Sequence, residues 1–195
     1  MYIPPHFSIS ERDEIIRFIR QNAFGQLISH VEGRLFASHL PFLLPDDGGK
    51  LLAHLAKPNP QWKQIEGQEV LITFQGPHDY ISPSWYKAPG VPTWNYQAVH
   101  VYGKCQLLTE AADLRQIVDA LTGVYEAGAS EPWVPQYDEK MLRGIVGLSI
   151  DVVEIQCKYK LNQNRSVEDR EQVCAHLEQS GSHDLAATMS KYGAK

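Results

Sequence analysis

The alternation of apolar and polar residues predicts a helix at the start of the chain, over Ser8 to Asn22. Two overlapping capping boxes, Ser8 with Glu11 and Ser10 with Asp13, open this segment. The apolar residues that follow recur at helical spacing and are Ile15, Ile16, Phe18 and Ile19. We therefore expect a helix that buries one face against the rest of the protein.

From Phe24 the pattern becomes extended and predicts three strands in a meander. The segments are Phe24 to Val31, Arg34 to Leu44 and Leu51 to Leu55. Glu32-Gly33 separates the first two segments, and a run of aspartates and glycines separates the second from the third. Connections this short favour antiparallel neighbours.

A short helix and a buried strand are predicted next. Pro58 to Glu66 can begin a helix with Asn59 as its cap and Pro60 at the first helical position, where no amide is needed. The apolar run in Glu69 to Gly76 is typical of a strand covered on both faces. Pro77 is expected to end this strand, because proline cannot donate to a sheet ladder.

The rest of the chain is predicted to contain an irregular segment, followed by two strands and several helices. Four prolines and one glycine between Pro77 and Pro92 predict little regular structure there. The remaining predicted elements are strands at Ala98 to Leu108 and Leu148 to Leu161, and helices at Glu110 to Glu126, Ser166 to Gln179 and His183 to Lys191. This order predicts an α+β fold with a small, mostly antiparallel barrel of about six strands. We expect a single domain over 1–195, with 166–195 as a helical tail.

Composition and charge narrow the classes of function. With 195 residues, 43% of them hydrophobic, and a net charge of −5, the chain reads as an ordinary soluble globular protein. The acidic balance makes direct DNA binding doubtful. The three cysteines are odd in number and far apart, which predicts a reduced, cytoplasmic protein. No run is long enough for a membrane span, and no signal pattern opens the chain.

Three segments carry candidate chemistry. The aromatic residues between Gly76 and Asn95 could stack on a planar ligand, or form a satellite core or a dimer contact. The strand end at His54 to Trp62, with Lys57 beside a helix start, could bind an anion, although a solvated lysine beside an ordinary cap is the commoner case. The polar run from Lys158 to Ser166 could bind a phosphorylated ligand or be a loop with a conventional cap.

Other common sites are not indicated. The eight histidines form no HxxxH, HExxH or Cys/His cluster, so we expect no metal site. No GxSxG, P-loop or GxGxxG motif occurs after a strand.

Motifs along almost the whole chain resemble those of the PaiB family of FMN-binding split-barrel proteins, which are described as negative transcriptional regulators. The motifs include Ser38-His39-Leu40-Pro41, His54-Leu55-Ala56-Lys57, Val91-Pro92-Thr93-Trp94-Asn95-Tyr96 and Gln163-Asn164-Arg165-Ser166. The sequence departs from the family pattern at Pro58, Asn162 and Gln172.

The resemblance implies a homodimer with FMN between its subunits. It makes Lys57 a phosphate ligand with His54 and Asn59 beside it. The other residues that it places near the flavin are Ser38, His39, Gln75, Gly76, Trp94 and Asn95, with Gln163 and Arg165 reaching across the dimer.

Three functions follow from the resemblance. The first is a flavin-binding regulatory protein. The second is an FMN-dependent oxidoreductase acting on a small substrate or on NAD(P)H. The third is haem binding on the same barrel, with His39 or His100 as an axial ligand.

Overall fold

The computed structural model describes residues 1–192, so the last three residues of the predicted tail lie outside the described part. Within it are five α-helices, six strands and three short 3-10 turns. The strands are β1 (Phe24–Val31), β2 (Arg34–Pro41), β3 (Lys50–Ala56), β4 (Glu69–Ile81), β5 (Thr93–Leu108) and β6 (Ile145–Lys160). The helices are α1 (Arg12–Gln21), α2 (Ala111–Glu126), α3 (Glu139–Leu142), α4 (Val167–Ser180) and α5 (His183–Tyr192), and the 3-10 turns are Pro5–Phe7, Pro60–Lys63 and Pro83–Trp85.

The described residues divide into two compact units. Unit 1 contains Met1–Ile15, Gln75–Val99 and the chain from Gln156 onward. Unit 2 contains Ile16–Phe74 and His100–Ile155. The single domain expected from the sequence stays a prediction.

Unit 2 contains residues of every strand of a six-stranded sheet, in the order β2-β1-β4-β5-β6-β3. Strands β1 and β2 form the predicted antiparallel hairpin, with Val31 opposite Arg34. Glu32 and Gly33 both have positive φ, 52° and 75°. This is the backbone of the tight turn that suits the right-handed twist of two paired strands.

The core of unit 2 follows from strand alternation. In β3 the buried residues are Leu51, Ala53 and Leu55, whereas His54 between them points to the other face. On that other face a small cluster of Leu114, Val118 and Leu142 is packed against Tyr137 and Ile145. The buried face of helix α2 therefore lies beside β3. The start of this helix was predicted to within one residue.

The first helix starts later than predicted, because the residues before it pair with a strand in unit 1. Ser8 forms an isolated bridge with Lys158, and the amide of Ile9 donates to the carbonyl of Cys157 at 3.1 Å. Ser8 is therefore extended, and α1 begins at Arg12. The capping pattern at Ser8 was a wrong prediction because a non-local pairing occupies that backbone.

The expected end of the fourth strand at Pro77 was also wrong. Strand β4 continues through Pro77 to Ile81, and β5 begins at Thr93 rather than Ala98. A strand accommodates a proline wherever the ladder does not need its amide. The irregular segment is thereby reduced to residues 82–92, which include the 3-10 turn Pro83–Trp85.

The helical tail has the predicted cap at Ser166. Ser166 accepts a hydrogen bond from the amide of Asp169 at 3.1 Å, and α4 ends at Gly181 with a φ of 89°. The last strand ends at Lys160. Two residues later, Asn162 is left-handed (φ 62°) and donates from Nδ2 to the hydroxyl of Tyr86 at 3.1 Å. Asparagine tolerates this conformation better than most residues.

Candidate functional site

In unit 2 the 3-10 turn after β3 is fixed to the first hairpin by two amide side chains. Asn59 caps the turn by accepting from the amide of Gln61 at 2.9 Å, and its Nδ2 donates to Ser38 Oγ at 2.8 Å. Gln61 is fully buried and its Nε2 donates to Ser29 Oγ at 2.9 Å. The predicted cap at Asn59 is confirmed, and it brings Ser38 and Asn59 together.

Lys57 lies in the link between β3 and this turn, and its backbone is held at both ends. Its amide donates to the carbonyl of Gly144, and its carbonyl accepts from Trp62 Nε1, both at 2.9 Å. Its exposed side chain lines a small cleft of about 110 Å³, whose walls also include Thr109, Glu139 and Arg143. Two cationic side chains and a hydroxyl are a donor set that suits a phosphate group.

His54 and His39 lie elsewhere in unit 2. His54 lines a larger cavity of about 520 Å³, and its buried Nδ1 has no hydrogen-bond partner. Burial lowers the pKa of His54. His39 is exposed and stacks on Phe24, with ring centres 6.2 Å apart. Since neighbouring residues of a strand alternate, Ser38 is buried where His39 is exposed.

The other predicted site residues lie in unit 1. Gln75 is exposed and Gly76 is buried in β4. Trp94 is half-exposed and meets the ring of Tyr80 edge-on at 6.2 Å, with His78 at 6.4 Å. Asn95 is fully buried; its Nδ2 contacts Met189 Sδ at 3.2 Å and its Oδ1 has no partner.

Gln163 and Arg165 are held by their own chain. Gln163 folds over the end of β6, accepting from the amide of Leu161 at 2.7 Å and donating to the carbonyl of Tyr159 at 2.6 Å. Arg165 donates to the carbonyl of Pro89 at 3.2 Å, and its guanidinium lies over the ring of Tyr86. Reaching across a dimer, as the sequence predicts, would require these contacts to be exchanged.

Arg143 and the aromatic residues Trp133 and Tyr137 were not found from the sequence. They lie in α3 or near it, a segment with no clear periodicity. A basic residue directly before Gly144, near the start of β6, was the only available signal. Among residues 1–192, no group of three or more His, Cys, Asp or Glu side chains is arranged to hold a metal. No helix of the described part is long and apolar enough to cross a membrane.

The donors of the small cleft suit the phosphate group of FMN. Lys57 and Arg143 would hold the phosphate, and Glu139, which pairs with Arg143 at 3.7 Å, would be the group to displace.

Comparison with known proteins supports a flavin protein. A family model described as "Putative FMN-binding domain" matches residues 1–154. A Bacillus subtilis protein named protease synthase and sporulation protein PAI 2 is 42% identical over 186 residues, covering 91% of this chain and 89% of that protein.

Solved structures share the fold at low sequence identity. A protein of Mycobacterium smegmatis described as binding FAD and haem superposes with a TM-score of 0.67 at 13% identity, covering 86% of this chain and 79% of that one. The flavocytochrome Anf3 of Azotobacter vinelandii gives 0.66 at 15% identity, covering 81% and 72%. The predicted α+β split β-barrel with about six strands is confirmed.

Proposed function

Because this chain belongs to the FMN-binding domain family and FMN is its cofactor, we propose that it is a flavin-dependent regulatory protein that acts as a homodimer. The observation that carries this proposal is the 42% identity with PAI 2, which extends over 91% of this chain. The name of that relative links it to protease synthesis and sporulation. In this proposal, FMN occupancy or redox state biases a dimer that affects transcription.

The chain's own residues bind and orient the cofactor. Lys57 and Arg143, which line the small cleft, would hold the phosphate, and the hydrogen bond from Asn59 to Ser38 would keep the end of β3 in place. When bound, the flavin supplies one- and two-electron redox chemistry. The protein contributes position and charge.

The outer face of the β1–β2 hairpin is the surface that we assign to the second copy. Phe24 and Leu35 are 65% and 72% exposed on this hairpin, and His39 stacks on Phe24. Ile28 and Ala37 lie opposite each other on the same face. Large exposed apolar groups on one face of a hairpin are typical of an interface, and this face continues into the predicted site through His39.

We propose that regulation does not involve contact with an operator. The net charge of the protein is −5. In α4 the positively charged side chain of Arg170 is flanked in sequence by the acidic residues Asp169 and Glu171. A helix that reads DNA needs a basic face to meet the phosphates. A cytoplasmic location fits the three free cysteines.

The regulatory proposal is tested by replacing the chromosomal gene with the Lys57→Ala variant and measuring transcripts. A protein that accumulates normally, has lost FMN, and leaves transcription as in the wild type would overturn it. A gel shift with promoter fragments at micromolar protein and moderate salt is expected to show no retardation. Retardation of the fragments would show that the protein binds DNA directly and would overturn the indirect mechanism. Light scattering is expected to give twice the chain mass.

An FMN-dependent oxidoreductase is the second candidate, and the exposed aromatic cluster of His78, Tyr80 and Trp94 favours it. Such a cluster at the end of two strands can form the wall of a substrate site. Anaerobic stopped-flow mixing with NADH or NADPH tests this function, since a flavin that neither donor bleaches would count against it. Haem binding at His39 or His100 remains a third prediction, and a Soret band after haem addition would reveal it.

A further inference from the structure

A cavity of about 520 Å³ lies in unit 2, between β3, α2 and the segment that leads to α3. Its volume is within the range of small-molecule sites in proteins. Most of the wall is aliphatic or aromatic. The apolar and aromatic lining residues are Pro41, Val118, Leu121, Tyr125, Trp133, Tyr137, Met141, Leu142 and Ile145.

Three polar side chains in the wall, Thr122, Tyr137 and Glu126, already make hydrogen bonds within the protein. Thr122 Oγ1 donates to the carbonyl of Val118 and lies 2.8 Å from the hydroxyl of Tyr137. Glu126 accepts a hydrogen bond from the amide of Trp133 at 2.9 Å. His54 Nδ1 is buried and has no partner among the described residues. A buried polar atom in this state costs free energy unless a ligand or water satisfies it.

The rim of the cavity is also apolar. Tyr125, Trp133 and Met141 line it and are 57%, 52% and 63% exposed. Three large side chains exposed around one opening form a patch of the kind that marks a binding site. The lining contains no lysine or arginine, so an anion would find no cation there. The carboxylate of Glu126 is already bonded to Trp133, and an apolar cavity disfavours any bare charge.

We propose that this cavity binds an uncharged aromatic small molecule that carries one hydrogen-bonding group, and that this group pairs with the imidazole of His54, which lines the cavity. The site differs from the phosphate cleft at Lys57, with which it shares only Leu142 and Ile145. Because FMN is an anion and its phosphate requires cations, the cavity is assigned to a second ligand. The proposal does not depend on the regulatory function.

The probe that tests this site is N-phenyl-1-naphthylamine, which is neutral and aromatic, has one N–H group, and fluoresces when it enters an apolar site. Its anionic counterpart, 8-anilinonaphthalene-1-sulfonate, has the same rings with a sulfonate. The full-length protein, with and without FMN, is titrated with each probe. We expect saturable binding of the neutral probe with one site per chain, and weaker binding of the anion.

Variants locate the bound probe. His54→Phe keeps a ring and removes the hydrogen bond, so affinity for the neutral probe should fall about 2- to 12-fold. Tyr125→Ala removes an aromatic wall and should weaken binding about threefold or more. Val124→Ala is the matched control, because Val124 is also 57% exposed on α2 and does not line the cavity. This control should bind the probe as the wild type does.

Three results would overturn the proposal. The first is unchanged affinity in both His54→Phe and Tyr125→Ala, which would place the probe elsewhere. The second is tighter binding of the sulfonate than of the neutral probe, which would contradict the uncharged class. The third is stoichiometric displacement of the probe by FMN, measured by calorimetry, which would make the cavity part of the flavin site. Circular dichroism of each variant separates loss of binding from loss of fold.

Discussion

Asn59 Nδ2 donates a hydrogen bond to Ser38 Oγ at 2.8 Å, and this contact joins the turn after β3 to strand β2. Ser38 is 9% exposed, so water does not readily replace the lost partner when either side chain is truncated. We expect Ser38→Ala to lower the free energy of unfolding by about 1 kcal/mol. Asn59→Ala should cost more, because it also removes the cap on Gln61.

A double-mutant cycle isolates this pair. Urea unfolding of both single variants and the double variant is expected to give a coupling energy of about 0.5 to 1.5 kcal/mol. A coupling energy near zero would show that the contact does not contribute to stability.

Lys57→Ala should weaken FMN binding without affecting riboflavin. Loss of a charge-assisted hydrogen bond to phosphate costs about 1.5 to 3 kcal/mol, which is roughly a 10- to 150-fold rise in Kd. Arg143→Ala should act in the same direction, because both side chains line the cleft. The measurement is quenching of flavin fluorescence on titration with protein.

Two controls accompany this measurement. Lys63→Ala removes another exposed lysine, in the 3-10 turn, and should leave FMN affinity unchanged. Riboflavin lacks the phosphate, so an equal loss of riboflavin affinity in Lys57→Ala would mean that Lys57 does not contact the phosphate.

Local signals were readable in the sequence where the chain satisfies its own backbone. Glu32-Gly33, Asn59 with Pro60, and Ser166 each specify a turn or a cap through residues only a few positions apart. Their structures were predicted correctly for that reason. Ser38 and Asn59 were predicted as site residues from the motif resemblance. The hydrogen bond between them could not be predicted locally, because it depends on how the strands pair.

Non-local pairing explains what the sequence did not show. Ser8 is taken into a bridge with Lys158, which no local pattern reveals. Pro77 lies inside β4 because tertiary structure, and not propensity, decides where a strand ends. Arg143 and Trp133 approach the clefts through α3 and its preceding segment, whose residues have neither helical nor strand periodicity.

The cysteines should differ sharply in reactivity. Burial raises the pKa of Cys105 and Cys157 to about 12, and the nearby carboxylates of Glu66 and Glu11 add to this. Because the thiolate is the reactive form, both should resist iodoacetamide at pH 8 in the native protein. Cys174 is only half-buried and should be alkylated first.

Peptide mass spectrometry after timed alkylation checks this order. All three cysteines should react at similar rates in urea, which serves as the control. Early labelling of Cys105 or Cys157 in the native protein would contradict the burial of these thiols.

The segment before β5 should depend on one buried carboxylate. Asp169 in α4 is 2% exposed and accepts from the amide of Lys87 at 2.8 Å. Asp169→Ala leaves that amide without its acceptor, so we expect a loss of about 1 to 3 kcal/mol in the free energy of unfolding. Amide exchange at Lys87 should also accelerate.

Glu168→Ala is the matched control for this prediction. Glu168 pairs with the side chain of Lys87, and both side chains are more than half exposed. Removal of an exposed pair should change stability by about 0.5 kcal/mol or less. If the two variants lost the same free energy of unfolding, the hydrogen bond from the Lys87 amide to Asp169 would contribute no more to stability than the exposed ion pair.

The stability of the protein should fall as the pH drops below about 6.5, and His54 should contribute to that fall. Burial lowers the pKa of His54 and His100 below the ordinary value of 6.5. As the pH drops, the unfolded chain therefore takes up these protons before the folded one does. The contribution is complete above pH 6.5 and is lost as the pH falls through the lower folded pKa.

Urea unfolding at pH 7.5 and 5.5 measures this effect. In His54→Phe the difference in free energy between the two pH values should be smaller than in the wild type, because one proton no longer distinguishes the states. A neutral aromatic ligand bound to the imidazole of His54 would oppose its protonation further, so the same probe should steepen the pH dependence in the wild type only.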